Sequence, residues 1–416
     1  MNTIRTLQHQ VAKEYPYIEK LYRHFHANPE LSQSEKNTAA RVARELKACG
    51  CRVTTGIGGH GVVGLLRNGP GPVILFRADM DALPVTEATG LPYASRVRIV
   101  DADGVATGVM HACGHDVHMA VMIGVARTMA GARSLWRGTL LCVGQPSEES
   151  MSGAAAMLAD GFYRRFPRPR AAISLHVMPA LPAGVIGLCP GFAWANADML
   201  TVTVRGVGGH GAWPHQARDP VTLAAQLVLA FQSIVGREID PVAPALISVG
   251  AIHGGTAFNI IPETVQIRLT VRTCTNDVRD RILAAIRRTA TGLARASGMP
   301  ADRLPIVTVH PSLTKAISND PVLTGQLRAA SCAILGARGV RAITPEMGGE
   351  DFGLFGQCRP RVPLAIARLG TSAPGRLAGR APVPPLHSPL FAPVVKPTLL
   401  GGVKAMAASL VSLMPA

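Results

Sequence analysis

The chain has 416 residues, 48% hydrophobic and 4% aromatic, with a formal net charge of +16. That length exceeds one ordinary core, so two domains are expected, with interiors built from Ala, Val, Leu and Ile. The cationic residues are mostly Arg and are scattered, with no basic run or interleaved aromatics, which argues against a nucleic-acid stripe and leaves a diffuse positive field suited to a carboxylate-bearing small molecule.

The opening MNTIRTLQHQVAKEY lacks the apolar core of a signal peptide. No apolar run is expected to reach the roughly 18 residues of a membrane span. The eight cysteines are irregularly spaced, and Cys49 and Cys51 are too close to bridge each other easily. Reduced thiols and a cytoplasmic location are expected.

Ile4, Leu7, Val11, Ile18, Leu21 and Tyr22 predict a helix over 3–27, ended at Asn28 by the following proline. A second helix is predicted over 37–49. An apolar strand over Val73–Phe76 runs into RADMDALP, and helical spacing returns over Asp116–Met129. The strand Thr139–Val143 delivers QPSEE, a helix covers 152–160, and the strand Ala171–Leu175 delivers His176 at its end. Alternating strands and helices mean a mostly parallel sheet, whose ligands collect at the carboxyl ends of strands. Asp79, Glu148, Glu149 and His176 all fall there.

The texture changes near residue 190. DMLTVTVR at 198–205 alternates as a half-buried strand should. A helix over 220–236, strands over 245–252 and 263–272, a helix over 277–297 and a strand over Ile306–Val309 follow. A helix over 321–335, a strand over Leu364–Leu369 and a helix over 396–412 then resume the first pattern, across a Pro/Gly/Ala-rich loop at 371–386. The expected architecture is an α/β catalytic domain (1–190 and 310–416) with an inserted α+β domain (191–309) of ferredoxin-like βαββαβ order, serving as lid or dimerisation element.

The residues that carry chemistry lie in HACGHDVH at 111–118 and QPSEE at 145–149. Thiolate, imidazole and carboxylate hold zinc-like cations, and a carboxylate beside a ligating carboxylate can take a proton from metal-activated water. Either piece alone is bland; a lone CxH is commonly accidental and a Glu pair commonly a solvated face. Cys113 and His115 are ligand candidates, with His111 and His118 read as supporting or packing residues. Asp116 is read as capping the next helix. One of Glu148 and Glu149 can bind metal while its neighbour faces water. Asp79 is read as orienting a ligating imidazole, and Asp81 as a turn residue. His176 is a ligand candidate from its strand; His387, in PLHSP, is left open by spacing alone. GGHGAWPH at 208–215, with two histidines, and GGTAFNIIP at 254–262, with Asn259, are glycine-rich segments whose backbone can approach a ligand closely. Phosphate cradling is the rival reading, though the helix-opening lysine of a phosphate loop is absent.

RHFHANPELS, RADMDALP, MHACGHDVH, QPSEE, LHVMP, GGHGAWPH, GGTAFNIIPE, VRT, GGEDF and LHSPLF follow one another along the chain. With them the chain resembles the metal-dependent amidohydrolases that include hippurate hydrolases and N-acyl-amino-acid amidohydrolases, relatives of aminoacylases and di-zinc carboxypeptidases. The resemblance implies two divalent metal ions (zinc, manganese, cobalt or nickel) held by Cys113, His115, Glu149, His176 and His387. It implies Glu148 as general base and Asp79 behind the metals. It implies substrate contacts from His210 and Asn259, with His210 able to serve a partner subunit, and Arg272 near the substrate carboxylate. It also suggests a non-proline cis peptide next to His115. Departures from the family pattern are Ser147, where Ala is usual, Trp213, where a smaller or sulfur-bearing residue is usual, and the apolar residues after LHSP. They bear on specificity rather than on the ligands.

The expected activity is metal-dependent hydrolysis of the amide bond of N-acyl or N-aroyl amino acids, by a homodimer or higher oligomer with no nucleic-acid or membrane partner. A dipeptidase or carboxypeptidase with the same site, and a non-catalytic basic binding protein, are the alternatives.

Overall fold

A computed structural model describes residues 3–100, 104–310, 314–379 and 382–416. The chain divides into two units, one of Met1–Ala193, Ser318–Thr344 and Asp351–Ala416, the other of Trp194–Ile317 and Pro345–Glu350.

The first unit opens with α1 (Thr3–Ala27), which buries Leu7, Val11, Ile18, Leu21, Tyr22 and Phe25 along one side, the stripe expected of a helix with one face on a core. Next come α2 (Lys36–Ala48) and the antiparallel pair β1 (Arg52–Ile57) and β2 (Gly61–Asn68). β3 (Val73–Asp79) extends three residues beyond its apolar run, carrying Arg77 and Asp79 into the sheet. α3 (His115–Gly131) is buried nearly all round. β4 (Gly138–Gln145), α4 (Gly153–Ala159), β5 (Ala171–Pro182) and β6 (Ile186–Leu188) follow. His176 sits inside β5 rather than at its end. The pairing of β5 with β3 stops at Arg77–Ser174, so His176 still lies just past the edge of β3.

In the second unit, β7 (Asn196–Arg205), α5 (Pro220–Glu238), β8 (Ala245–Gly254), β9 (Thr264–Thr273), α6 (Asn276–Ala296) and β10 (Ile306–Val309) keep the predicted rhythm. The sheet order is β8-β9-β7-β10, all antiparallel, as in a ferredoxin-like fold. Leu200, Val202 and Val204 of β7 meet Leu223, Leu227 and Phe231 of α5 and Ile282 and Ile286 of α6 in one core. By length and composition α5 could cross a membrane, contrary to the expectation of no such run. Thr222, Gln226 and Ser233 interrupt the apolar run without lowering its mean hydropathy enough. One face of α5 nevertheless packs on the sheet of its own unit.

The first unit resumes with α7 (Pro321–Leu335), β11 (Val340–Ala342), β12 (Leu364–Ser372) and α8 (Val395–Leu413). Its sheet runs β1-β2-β4-β3-β5-β12-β6-β11. The central strands β4, β3, β5 and β12 are mutually parallel. Parallel strands buried on both faces read as continuous apolar runs, as these do.

Beneath the strand ends lies a buried ionic network. The Arg77 guanidinium donates to Gln145 Oε1 (2.8 Å), Asp79 Oδ2 (2.7 Å) and Asp351 Oδ1 (3.3 Å). Asp351 also accepts from Gln145 Nε2 (2.6 Å) and from the Ala154 amide at the start of α4 (2.9 Å). Removing one partner of such a network strands the other charges. Arg77→Met is therefore expected to cost about 3–5 kcal/mol, read as a lower urea midpoint for the first unit. A midpoint within error of the parent would show that the carboxylates find other partners.

Candidate metal centre

The ends of β3 and β4, the middle of β5, the turn that opens α3 and the loop carrying His387 bring the predicted residues of the first unit to one place. Cys113 and His115 flank Gly114, which has φ +75° and caps α3. A Cβ there would lie 2.6 Å from Val177 Cγ2, so only glycine lets this turn lie against β5. The turn is made by that positive φ and not by a cis peptide at His115; among the described residues the cis bond is Arg359–Pro360. Cys113 Sγ lies 3.5 Å from His176 Nε2. His115 Nε2 lies 3.8 Å from Glu149 Oε1 and 3.9 Å from Glu148 Oε2. His387 Nε2 lies 3.6 Å from Glu149 Oε1. Cys113, His115 and His176 form one group of ligand atoms within 4.8 Å of one another, and Cys113, Glu149 and His387 another. The five predicted ligands are thus together, with Glu148 beside His115 and Glu149.

The hydrogen bonds decide which imidazoles can ligate. His115 Nδ1 donates to the Asp81 carbonyl (2.8 Å), and its Nε2, turned to the carboxylates, has no hydrogen-bond partner. His176 Nδ1 donates to the Val177 carbonyl (2.8 Å), which directs the Nε2 lone pair at Cys113. His118 is different. Its Nδ1 donates to Asp79 Oδ1 (2.6 Å) and its Nε2 accepts from the Val177 amide (2.9 Å). Both nitrogens are occupied, so His118 braces the strand next to His176 rather than offering a lone pair. His387 has φ +65°, a left-handed conformation rare for a non-glycine residue, and its amide donates to the Ala112 carbonyl beside Cys113 (2.9 Å). Its side chain is 55% exposed, so solvent reaches the cluster from that side.

The residues fit divalent cations. His115 Nε2 and Glu149 Oε1 are buried side-chain atoms lacking hydrogen-bond partners, an arrangement that is costly unless something binds them. Burial, with Glu149, Glu148 and Asp79 nearby, pushes the Cys113 thiol well up, and burial raises Glu149. Burial opposes a charge on His115, yet Asp79, Asp81 and Glu149 hold its pKa up at about 10. The pocket therefore draws positive charge, and a dication would release the thiol proton.

Asp116 does not cap α3: the cap position is Gly114, with no side-chain cap, and Asp116 lies inside the first turn, where its carboxylate accepts from the Val117 amide (2.8 Å). Its other oxygen turns to His26 Nδ1 (2.7 Å), whose Nε2 meets Glu87 Oε1 (3.0 Å). Burial opposes charge on His26, but the two carboxylates hold it up at about 10. Burial pulls His111 down to about 4.

His210, Asn259 and Arg272 belong to the second unit. His210 pairs with Ile260, and the Gly211 amide donates to the Asn259 carbonyl (2.8 Å), so the two glycine-rich segments lie side by side. His210 Nδ1 accepts from the Ala212 amide (3.1 Å), which leaves the ring proton on Nε2, and Trp213 stacks at 4.8 Å. Arg272 lies on β9 between Ala197 and Leu246.

Sequence reasoning gave Asp81 only a turn. In the structure its carboxylate accepts from the Glu149 amide (2.9 Å) and from Ser32 Oγ (2.6 Å), while its carbonyl orients His115. Its position two residues after Asp79, on the same side of an extended segment, was the available signal.

A family model described as Peptidase family M20/M25/M40 matches residues 75–382. The hippurate hydrolase of Campylobacter jejuni is 36% identical over 342 residues, 81% of this chain and 84% of that protein. Thermostable carboxypeptidase 1 of Saccharolobus solfataricus is 33% identical over 364 residues, 86% of this chain and 88% of that protein. Among solved structures, the Bacillus subtilis YXEP protein, a dinuclear metal binding peptidase from the M20 family, superposes with a TM-score of 0.78 at 28% identity, over 97% of this chain and 99% of that one.

Cys113→Ala is expected to lower the divalent metal retained per chain after dialysis, measured by elemental analysis; unchanged stoichiometry would remove the thiolate from the ligand set. Asp81→Ala keeps the carbonyl that orients His115 but removes the carboxylate that holds the Glu149 amide and Ser32; it is expected to weaken metal affinity by about 10–100-fold in competition with a chelating dye.

Proposed function

The chain belongs to peptidase family M20/M25/M40, and on that basis we propose that it hydrolyses the amide bond of N-acyl or N-aroyl amino acids, releasing a carboxylic acid and an amino acid. The observation that carries this is the gathering of Cys113, His115, Glu149, His176 and His387 with Glu148 at its edge. Those five residues would hold two divalent cations. When bound, such ions acidify water and polarise a carbonyl.

Glu148 is assigned as the base. It takes a proton from the attacking water, whose oxygen bonds to the acyl carbon. The C–N bond breaks, and Glu148 passes the proton to the departing nitrogen. The assignment suits a carboxylate that is itself buried beside His115 and Glu149, the latter being the residue next to solvent-open His387. Asp79, paired with Arg77 and His118, stays ionised: burial resists its charge, but His115, His118 and Arg77 hold it well below the usual carboxylate range. It acts by orientation. In the second unit, the His210 Nε2 proton is assigned to the acyl oxygen, in its own chain or a partner's, Asn259 to the substrate amide region, and Arg272 to the substrate carboxylate. The similarity to a hippurate hydrolase supports an aroyl or acyl group; the similarity to a carboxypeptidase favours peptide substrates as the second reading.

We place the enzyme in the cytoplasm, where eight free cysteines remain reduced. We also infer a homodimer or higher oligomer. Among the described residues β8 pairs on one side only, and α5 leaves Val221 and Leu229 exposed; such a strand edge beside an apolar helix face favours self-association.

Assay of N-benzoyl and N-acetyl amino acids against dipeptides, with each of manganese, cobalt, nickel and zinc, is expected to give chelator-sensitive release of amino acid from the acylated series. Turnover of dipeptides alone would favour the carboxypeptidase reading. Glu148→Gln is expected to keep its metal and lose about 10²–10⁴-fold in kcat; activity near the parent's would refute its role.

A further inference from the structure

Glu35 is a carboxylate spent far from solvent. It occupies the N-cap position of α2, yet its side chain makes no capping hydrogen bond there. It is fully buried, and its Oε2 has no hydrogen-bond partner. Burial pushes its pKa up. A group held at that cost is expected to do something for which an apolar side chain would not serve. Its Oε1 reaches across to Ser147, accepting from the amide at 2.6 Å and from Oγ at 3.3 Å.

Ser147 immediately precedes the glutamate pair, and its φ is +54°. Serine is disfavoured in that left-handed region, so something must hold it there. Three contacts do. Glu35 takes the amide. The Gln33 amide, on a residue itself at φ +67°, donates to Ser147 Oγ at 2.9 Å. The Ser147 carbonyl accepts from the amides of Ser152 and Gly153 at 3.2 and 3.1 Å, folding the turn back on itself. The return is tight. A Cβ on Gly153 would lie 1.6 Å from the Pro146 carbonyl oxygen. On the far side of Glu148, the Glu149 amide is fixed by Asp81. Glu148 is thus strung between two buried carboxylates that grip the backbone on either side of it.

We infer that Glu35 is a positioning residue for the reaction. By holding Ser147 left-handed, it sets the direction in which Glu148 leaves the backbone. The inference rests on the assignment of Glu148 as base, and it concerns how that base is aimed. A misplacement of about 1 Å is enough to cost about 100-fold in rate.

The test uses the full-length, metal-loaded enzyme, with the parent and Glu148→Gln measured alongside. Glu35→Ala is expected to lower kcat by about 30–100-fold with KM changed less than about threefold and metal content unchanged. Glu35→Gln, whose amide oxygen still accepts from Ser147, restores most of kcat. Hydrogen–deuterium exchange over 146–152 quickens in Glu35→Ala and not in Glu148→Gln. Adding Ser147→Gly to Glu35→Ala recovers at least about tenfold of the lost kcat, because glycine adopts positive φ without strain. If Glu35→Ala does not fold, Ser147→Val decides: a β-branched residue resists that φ, so kcat should fall while Glu35 and the metal remain in place.

The inference is overturned if the exchange of 146–152 is unchanged in Glu35→Ala, if kcat falls only together with metal content, if glycine gives no recovery, or if Ser147→Val turns over like the parent. Parent-like turnover in Glu148→Gln would instead defeat the assignment of the base, and the exchange data would still judge the grip of Glu35 on the turn.

Discussion

Four carboxylates, Asp79, Asp81, Glu148 and Glu149, crowd the carboxyl ends of β3 and β4, and all but Glu149 are buried. Like charges so placed cannot all remain ionised in a dry site unless positive charge lies within a few ångströms. Arg77 supplies one cation from below, on the side of the sheet core. His115, at the centre, is drawn towards its protonated form by Asp79, Asp81 and Glu149 against its own burial, a proton that a cation on Nε2 would displace. What remains unmet faces outward, where a thiol, imidazoles and Glu149 stand ready to take metal. Metal dependence is therefore a condition on the electrostatics of the first unit as well as on its chemistry.

The elements legible in the sequence were those whose burial is simple. β7 and β9 have one face on a core, so they alternate cleanly and their bounds fell within two residues. β3, β4 and β5 are covered on both faces and read as short apolar runs. Their polar extensions, which carry Arg77, Asp79 and His176, were invisible to hydropathy because hydrogen bonds rather than apolar packing hold them. β1 and β2 were missed: RVTTGI shows no clean period in burial, and glycines break the apolar run of β2. β6 and β11, of three residues each, carry too little pattern to register.

At the candidate site, residue type and motif order named the side chains that cluster but could not assign their neighbours. His115 and His118 are three apart on one helix, and spacing cannot say which ring keeps a free lone pair. The structure decides it by giving His118 two partners and His115 one. The contacts of Glu35 and Gln33 with Ser147 span more than a hundred residues, so no local signal could have joined them. Asp81 was underrated for a related reason. Its most telling acceptor is a backbone carbonyl, which any residue would have supplied, while its side chain holds a backbone amide rather than a ligand.

His176 and His387 stand some two hundred residues apart in the chain, with the whole second unit threaded between them. Ions shared by both would act as a clasp on that long loop, of the kind whose closure entropy is otherwise charged to folding. Occupancy of the cluster would then be felt well beyond the reacting atoms. A chain emptied of its ions would have lost one of the tethers by which the segment carrying His387, itself in a reluctant backbone conformation, is kept against the sheet.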